Sequence, residues 1–83
     1  MIGDSSEREL AQEGLRKIED AILALLEMRL DGLRNSEIAE CLGLRSDFRG
    51  KQKDYLTYSV LGRLMKADRV TWNKHTKLFT RIR

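Results

Sequence analysis

The sequence has one cysteine, one histidine and no proline. A lone cysteine, Cys41, cannot form an internal disulfide, which points to the reducing cytoplasm. One histidine and one cysteine exclude a zinc cluster of the usual Cys/His kind, and no metal or cofactor is expected. No apolar run approaches the roughly 18–20 residues that a membrane helix needs, so no membrane partner is expected either. Residues 1–10 carry acids and serines rather than a basic stretch followed by an apolar one, unlike a signal peptide. Enzyme signatures are missing too. No serine stands in an evident Ser/His/acid pattern, and there is no Gly-x-x-x-x-Gly-Lys phosphate loop. No Asp or Glu is followed two positions later by Lys, so the short carboxylate–lysine signature of many metal-dependent nucleases is absent. The chain reads as a non-enzyme.

What it does have is charge, unevenly spread. Charged residues make up 35% of the sequence and hydrophobic ones 41%, ordinary for a globular domain and too apolar for a disordered chain. Its 83 residues allow one small domain and no second, without internal repeats or low-complexity runs. The net charge is only +3, yet residues 1–44 hold ten acids against five bases, a balance of −5. Residues 45–83 hold eleven bases against three acids, a balance of +8. Such segregation suits a protein with one face toward a polyanion while the remainder avoids it.

Periodicity supplies the elements. Ser6 followed by Glu9 forms a capping-box pattern. Leu10, Leu15, Ile18, Ile22, Leu25, Leu26 and Leu30 then recur at helical spacing, so a long first helix is expected over 6–31, ended near Gly32. It is long for so small a domain, and its first turns are expected to extend past the core. After a short extended stretch at Leu33 and Arg34, Asn35 or Ser36 caps a short second helix with Ile38, Ala39, Cys41 and Leu42 on its apolar face, closed by Gly43. Residues 45–53 lack an apolar period and read mostly as a basic loop. A third helix is expected from the N-cap Asp54 to Ala67, with Leu56, Val60, Leu61, Leu64 and Met65 inward. The period then shortens. Val70 and Trp72, then Leu78, Thr80 and Ile82, alternate with Thr71, Lys77, Phe79 and Arg81, which predicts a hairpin over 69–83 around a turn of Asn73, Lys74, His75 and Thr76.

This order resembles the winged helix-turn-helix DNA-binding domains. The resemblance rests on Ser36-Glu37-Ile38-Ala39-Glu40-Cys41-Leu42-Gly43-Leu44, on Val60-Leu61-Gly62-Arg63-Leu64-Met65-Lys66-Ala67-Asp68-Arg69-Val70, and on the hairpin that follows. It implies a small α+β fold, three helices followed by a two-stranded wing. The first block looks like the supporting helix and its turn, the second like the end of a recognition helix leading into the wing. Two departures stand out: the long basic segment 45–53 replaces a tight turn, and Asp68 stands where these families usually place a glycine.

The resemblance implies that the third helix enters the major groove of double-stranded DNA. Arg45, Arg49, Lys51 and Lys53 would then precede its N-terminus, where lysines and arginines release condensed counterions from phosphates. With the inward positions subtracted, Tyr55, Thr57, Tyr58, Ser59, Gly62, Arg63 and Lys66 remain for the outward face. Tyr55, Tyr58 and Ser59 are assigned to base edges or phosphates, Arg63 and Lys66 to the backbone. Lys74, His75 and Lys77 resemble a wing tip on phosphate or in the minor groove. Trp72 reads as core rather than as a base-stacking ring, Cys41 as a small buried hydrophobe, and Gly62 as a site of close packing on the first helix, with close approach of DNA as the alternative. The expectation is a transcriptional regulator or accessory DNA-recognition module, with the N-terminal helix available to pair with its copy in a homodimer. Two alternatives remain: a protein–protein interaction module of the same fold, and RNA or non-specific binding through Tyr55 and Tyr58.

Overall fold

The computed structural model describes residues 5–48 and 51–83, with side chains over 6–45 and 54–83. Helix α1 spans Ser5–Met28, α2 Asn35–Cys41 and α3 Tyr55–Lys66. Strands β3 (Val70–Trp72) and β4 (Phe79–Arg81) pair antiparallel behind them, with Val70 opposite Arg81 and Trp72 opposite Phe79. The fold is α+β, three helices followed by a two-stranded hairpin, in the layout of a small winged helix.

Residues 46–48 and 51–53 are strands rather than part of the loop that their composition suggests. Strands β1 (Ser46–Phe48) and β2 (Lys51–Lys53) form a second antiparallel hairpin there, with Ser46 opposite Lys53 and Phe48 opposite Lys51. Phe48 is the one apolar residue in these two strands, so no apolar alternation marks them, in contrast to Val70, Trp72 and Phe79 of the wing. Arg49 lies outside the described residues.

The core gathers Ile22, Leu23 and Leu26 of α1, Leu33 of the stretch before α2, Ile38 and Ala39 of α2, Val60, Leu61 and Leu64 of α3, and Val70 and Phe79 of the wing. Leu33 forms an isolated antiparallel bridge with Phe79, so the extended stretch before α2 lies along β4. Beyond the core, residues 6–14 of α1 are exposed throughout, as its excess length implies, and Leu10 is 68% exposed. Ser6 lies within α1 rather than capping it. The helix ends at Met28, earlier than its pattern, and leaves Leu30 exposed in the turn before Gly32.

Each remaining helix boundary has a local cause. Glu37 accepts a hydrogen bond from the Arg34 backbone N–H at 2.8 Å and closes the start of α2, making Arg34 the N-cap rather than Asn35 or Ser36. At its other end Gly43 adopts a φ of +67°, and Leu44 N–H reaches back to the Ala39 carbonyl at 2.8 Å. Asp54 occupies the N-cap of α3, without a side-chain capping bond. At the C-terminal end, Asp68 itself takes the left-handed conformation, φ +58°. Asp68 N–H donates to Met65 and Arg69 N–H to Leu64, at 3.0 and 2.8 Å. Aspartate tolerates this region better than most residues, and so fills the place of the missing glycine.

Several burial expectations are corrected. Thr57, not Leu56 or Met65, joins Val60, Leu61 and Leu64 inside, which moves the buried stripe of α3 by about one position. In β4 the inward residue is Phe79, because the register sets it beside Trp72 on the face that carries Val70. Cys41 is exposed, as a free thiol at the last position of α2. A Cβ on Gly62 would meet nothing within 4 Å, so no close packing on α1 explains that glycine.

Candidate nucleic-acid interface

With Thr57, Val60, Leu61 and Leu64 committed to the core, α3 presents Tyr55, Tyr58, Ser59, Gly62 and Lys66 outward. Tyr55 is 70% exposed and Tyr58 64%. Rings this large on a surface, rather than in a core, mark a face available for contact. Thr57, taken above as outward, is fully buried.

A polar cluster fixes how α3 stands against α2. The half-buried Arg45 lies 3.3 Å from Glu40 of α2 and 3.5 Å from Asp54 at the head of α3. Asn35 donates from Nδ2 to the Asp54 carbonyl at 3.4 Å. These links close the β1–β2 excursion at its base, so the long segment between the helices leaves their mutual placement defined. Arg45 is thereby turned toward acids of its own chain. Arg63 is likewise engaged, its Nε donating to Glu19 of α1 at 3.0 Å.

The other candidates fall into two hairpins and the helix between them. Lys51 and Lys53 stand on β2, immediately before α3. Lys74 and His75 occupy the wing turn, both exposed. That turn forms without an Asn-Gly pair because Asn73 Oδ1 accepts from the N–H groups of His75 and Thr76, at 2.8 and 3.1 Å. Lys77 follows with a φ of +67°, its N–H donating to the Asn73 carbonyl at 2.7 Å.

Between α3 and the wing lies an open groove of about 580 Å³. Tyr58, Gly62 and Met65 form its α3 wall, Trp72, Lys77 and Phe79 its wing wall, and the residues from Arg34 to Ser36 close one end. Trp72, expected in the core, is 40% exposed. Its face of the hairpin was legible from the alternation, but it sits at the outer end of β3, past the cover that buries Val70. Its ring lies 6.2 Å from that of Phe79, tilted by 38°, and Lys77 Nζ lies 5.3 Å from its centroid. Arg34, Asn35, Ser36, Asp54, Met65, Trp72 and Phe79 line the groove although nothing in the sequence assigned them to the interface. An arginine just ahead of a helix start was the one available signal.

Among the described residues, no group of three or more His, Cys, Asp or Glu side chains could hold a metal ion, and no helix is long and apolar enough to cross a membrane. No family model, no curated protein and no solved structure matches this chain.

Proposed function

We propose that the protein binds double-stranded DNA, with α3 in the major groove and a basic hairpin on either side meeting phosphates. The observation that carries this reading is the exposed face of α3, Tyr55, Tyr58, Ser59, Gly62 and Lys66, on a helix that follows β2 with Lys51 and Lys53 directly in the chain and leads into the wing with Lys74, His75 and Lys77. Tyrosine and serine hydroxyls offer hydrogen bonds to base edges or phosphates, and the lysines supply the sequence-independent part of the affinity. Arg45 and Arg63, tied to Glu40, Asp54 and Glu19, hold the helices in place and contribute less to the contact. The role that fits is a transcriptional regulator or an accessory DNA-recognition module. A cytoplasmic setting agrees with the free thiol of Cys41.

The test is a fluorescence-anisotropy titration of random-sequence duplex DNA at two salt concentrations. Contact with about five phosphates gives a log–log slope near −4.5, about a 500-fold loss of affinity between 50 and 200 mM salt. Replacing Arg49, Lys51 and Lys53 by alanine flattens that slope. Absence of binding at 50 mM salt overturns the reading and leaves the protein–protein interaction module in its place.

A second contact is supported by α1. Residues 6–14 are exposed and carry Leu10 outward, a surface suited to pairing with its copy. A homodimer of that kind would recognise a two-fold inverted repeat. Sedimentation equilibrium tests it: Leu10→Glu shifts a dimer to monomer, and a wild-type monomer at all concentrations removes the idea.

A further inference from the structure

A helix lying in a major groove does not account for the cleft beside it. Trp72 is on the core-facing side of β3, yet 40% of it remains open, and it also lines a smaller concavity of about 360 Å³ on the other side of the wing. Phe79 and the Lys77 ammonium fix the ring's surroundings without burying it. Across the groove stands the exposed ring of Tyr58, and between them Gly62 presents backbone with nothing within 4 Å of where a Cβ would sit. The cleft therefore offers aromatic surface, a wall without a side chain, and cations at its rim in Arg34 and Lys77. Asp54 is the one carboxylate among the lining residues, and Arg45 faces it at 3.5 Å.

We infer that this groove takes a single unstacked nucleobase of a nucleic-acid strand, its face on Trp72 and its neighbouring phosphate on Lys77. Charge decides between occupants. Arg34 and Lys77 line the groove, and the Asp54 carboxylate there already faces Arg45, so the lining is cationic and selects an anionic strand over a neutral apolar peptide. Stacking on an aromatic ring tolerates any base, because every base has a π-face. In the free protein the Lys77 ammonium occupies the ring; with a base present it moves to the phosphate, exchanging a cation–π contact for an ion pair. The inference rests on the nucleic-acid reading and adds to it a preference for DNA with one base out of the stack.

Three labelled hairpin duplexes of the same sequence test it against the full chain: fully paired, with one bulged nucleotide, and with a bulged abasic residue. The last keeps the bend and the extra phosphate but lacks the base. The expected result is about 10-fold tighter binding of the bulged nucleotide than of the abasic bulge. Because Trp72 is the only tryptophan, its fluorescence is quenched by the bulged nucleotide and not by the abasic bulge. Trp72→Ala brings the affinity ratio to about 1, and Trp72→Phe retains most of it, with far-UV circular dichroism confirming the fold of both. Equal affinities and an unquenched tryptophan overturn the inference while paired-duplex binding leaves the DNA reading standing. Binding to none of the three probes overturns both, and the cleft would then belong to a protein partner.

Discussion

Leu33 and Phe79 exchange both of their backbone hydrogen bonds, at 3.0 and 2.7 Å, and so stitch the link between α1 and α2 to the second strand of the wing. The contact requires close approach of two backbones, and the residue before it permits that. Gly32 has a φ of +93°, and a Cβ there would lie 2.8 Å from the Phe79 carbonyl oxygen and 2.8 Å from Thr80 Cγ2. Both conformation and space exclude a side chain. Gly32→Ala is expected to cost about 2–4 kcal/mol in a urea titration, from the left-handed backbone and the forced displacement of β4 together.

The opposite sign is expected at Asp68. Its φ of +58° closes the end of α3, and no change of hydrogen bonding is needed for glycine to take its place. Asp68→Gly should raise stability by about 0.5–1 kcal/mol, the relief of the left-handed penalty less the added freedom of the unfolded chain. Asp68→Val should lower it, since a β-branched residue suits this region least. Thermal unfolding of the pair gives the order Gly, Asp, Val.

Thr57 is fully buried in α3, and its Oγ1 has no hydrogen-bond partner among the described residues. Thr57→Val keeps the shape and removes the polar atom, so a gain of about 1 kcal/mol is expected in chemical denaturation. A loss of stability in that variant would mean that the hydroxyl has a partner in solution.

These positions also mark what the residues disclose before folding. The second and third helices follow from Ile38-Ala39 and from Val60, Leu61 and Leu64, because a 3.6-residue period records which side faces inward. The turns at Gly32 and Gly43 are equally readable, since a left-handed residue restricts composition. The β1–β2 hairpin is not, because Ser46–Phe48 and Lys51–Lys53 hold a single apolar residue and so show no apolar alternation. Trp72 shows a different limit. Alternation assigns a strand residue to a face, but what covers that face is decided by elements distant in sequence. The candidate interface divides on the same ground. Charge and most of the outward face of α3, Thr57 excepted, were legible, whereas the partners of Arg45 and Arg63 follow from tertiary contacts, the latter with Glu19, far back in α1.

Glu27 joins the end of the chain to α1. It accepts from Arg83 at 2.9 Å and from Arg81 at 2.7 Å. The Arg83 hydrogen bond, the largest effect, holds its carboxyl below the ordinary 4.5; desolvation opposes it, and the charges of Arg83 and Arg81 with the Arg81 hydrogen bond add to the lowering. A folded-state pKa below the unfolded value stabilises the fold above the unfolded pKa, and that contribution is lost as pH falls through the lowered value. Glu27→Gln should therefore lower the urea midpoint at pH 7, with the difference from wild type closing below pH 4. A difference that persists at pH 2 would assign the effect to packing instead.

Gly62 separates stability from recognition. It lies within α3, exposed, with open space where a Cβ would be. Glycine inside a helix costs about 1 kcal/mol relative to alanine, so Gly62→Ala should stabilise the fold by up to that amount. The same methyl group would stand on the wall of the groove between α3 and the wing, facing whatever enters it. If nucleic acid passes close to the α3 backbone there, the more stable variant binds duplex DNA about 10-fold more weakly, since a contact made at van der Waals distance tolerates no added atom. Anisotropy and thermal unfolding on one preparation read both quantities. A variant that gains stability and keeps its affinity would remove close approach as the reason for glycine at this position.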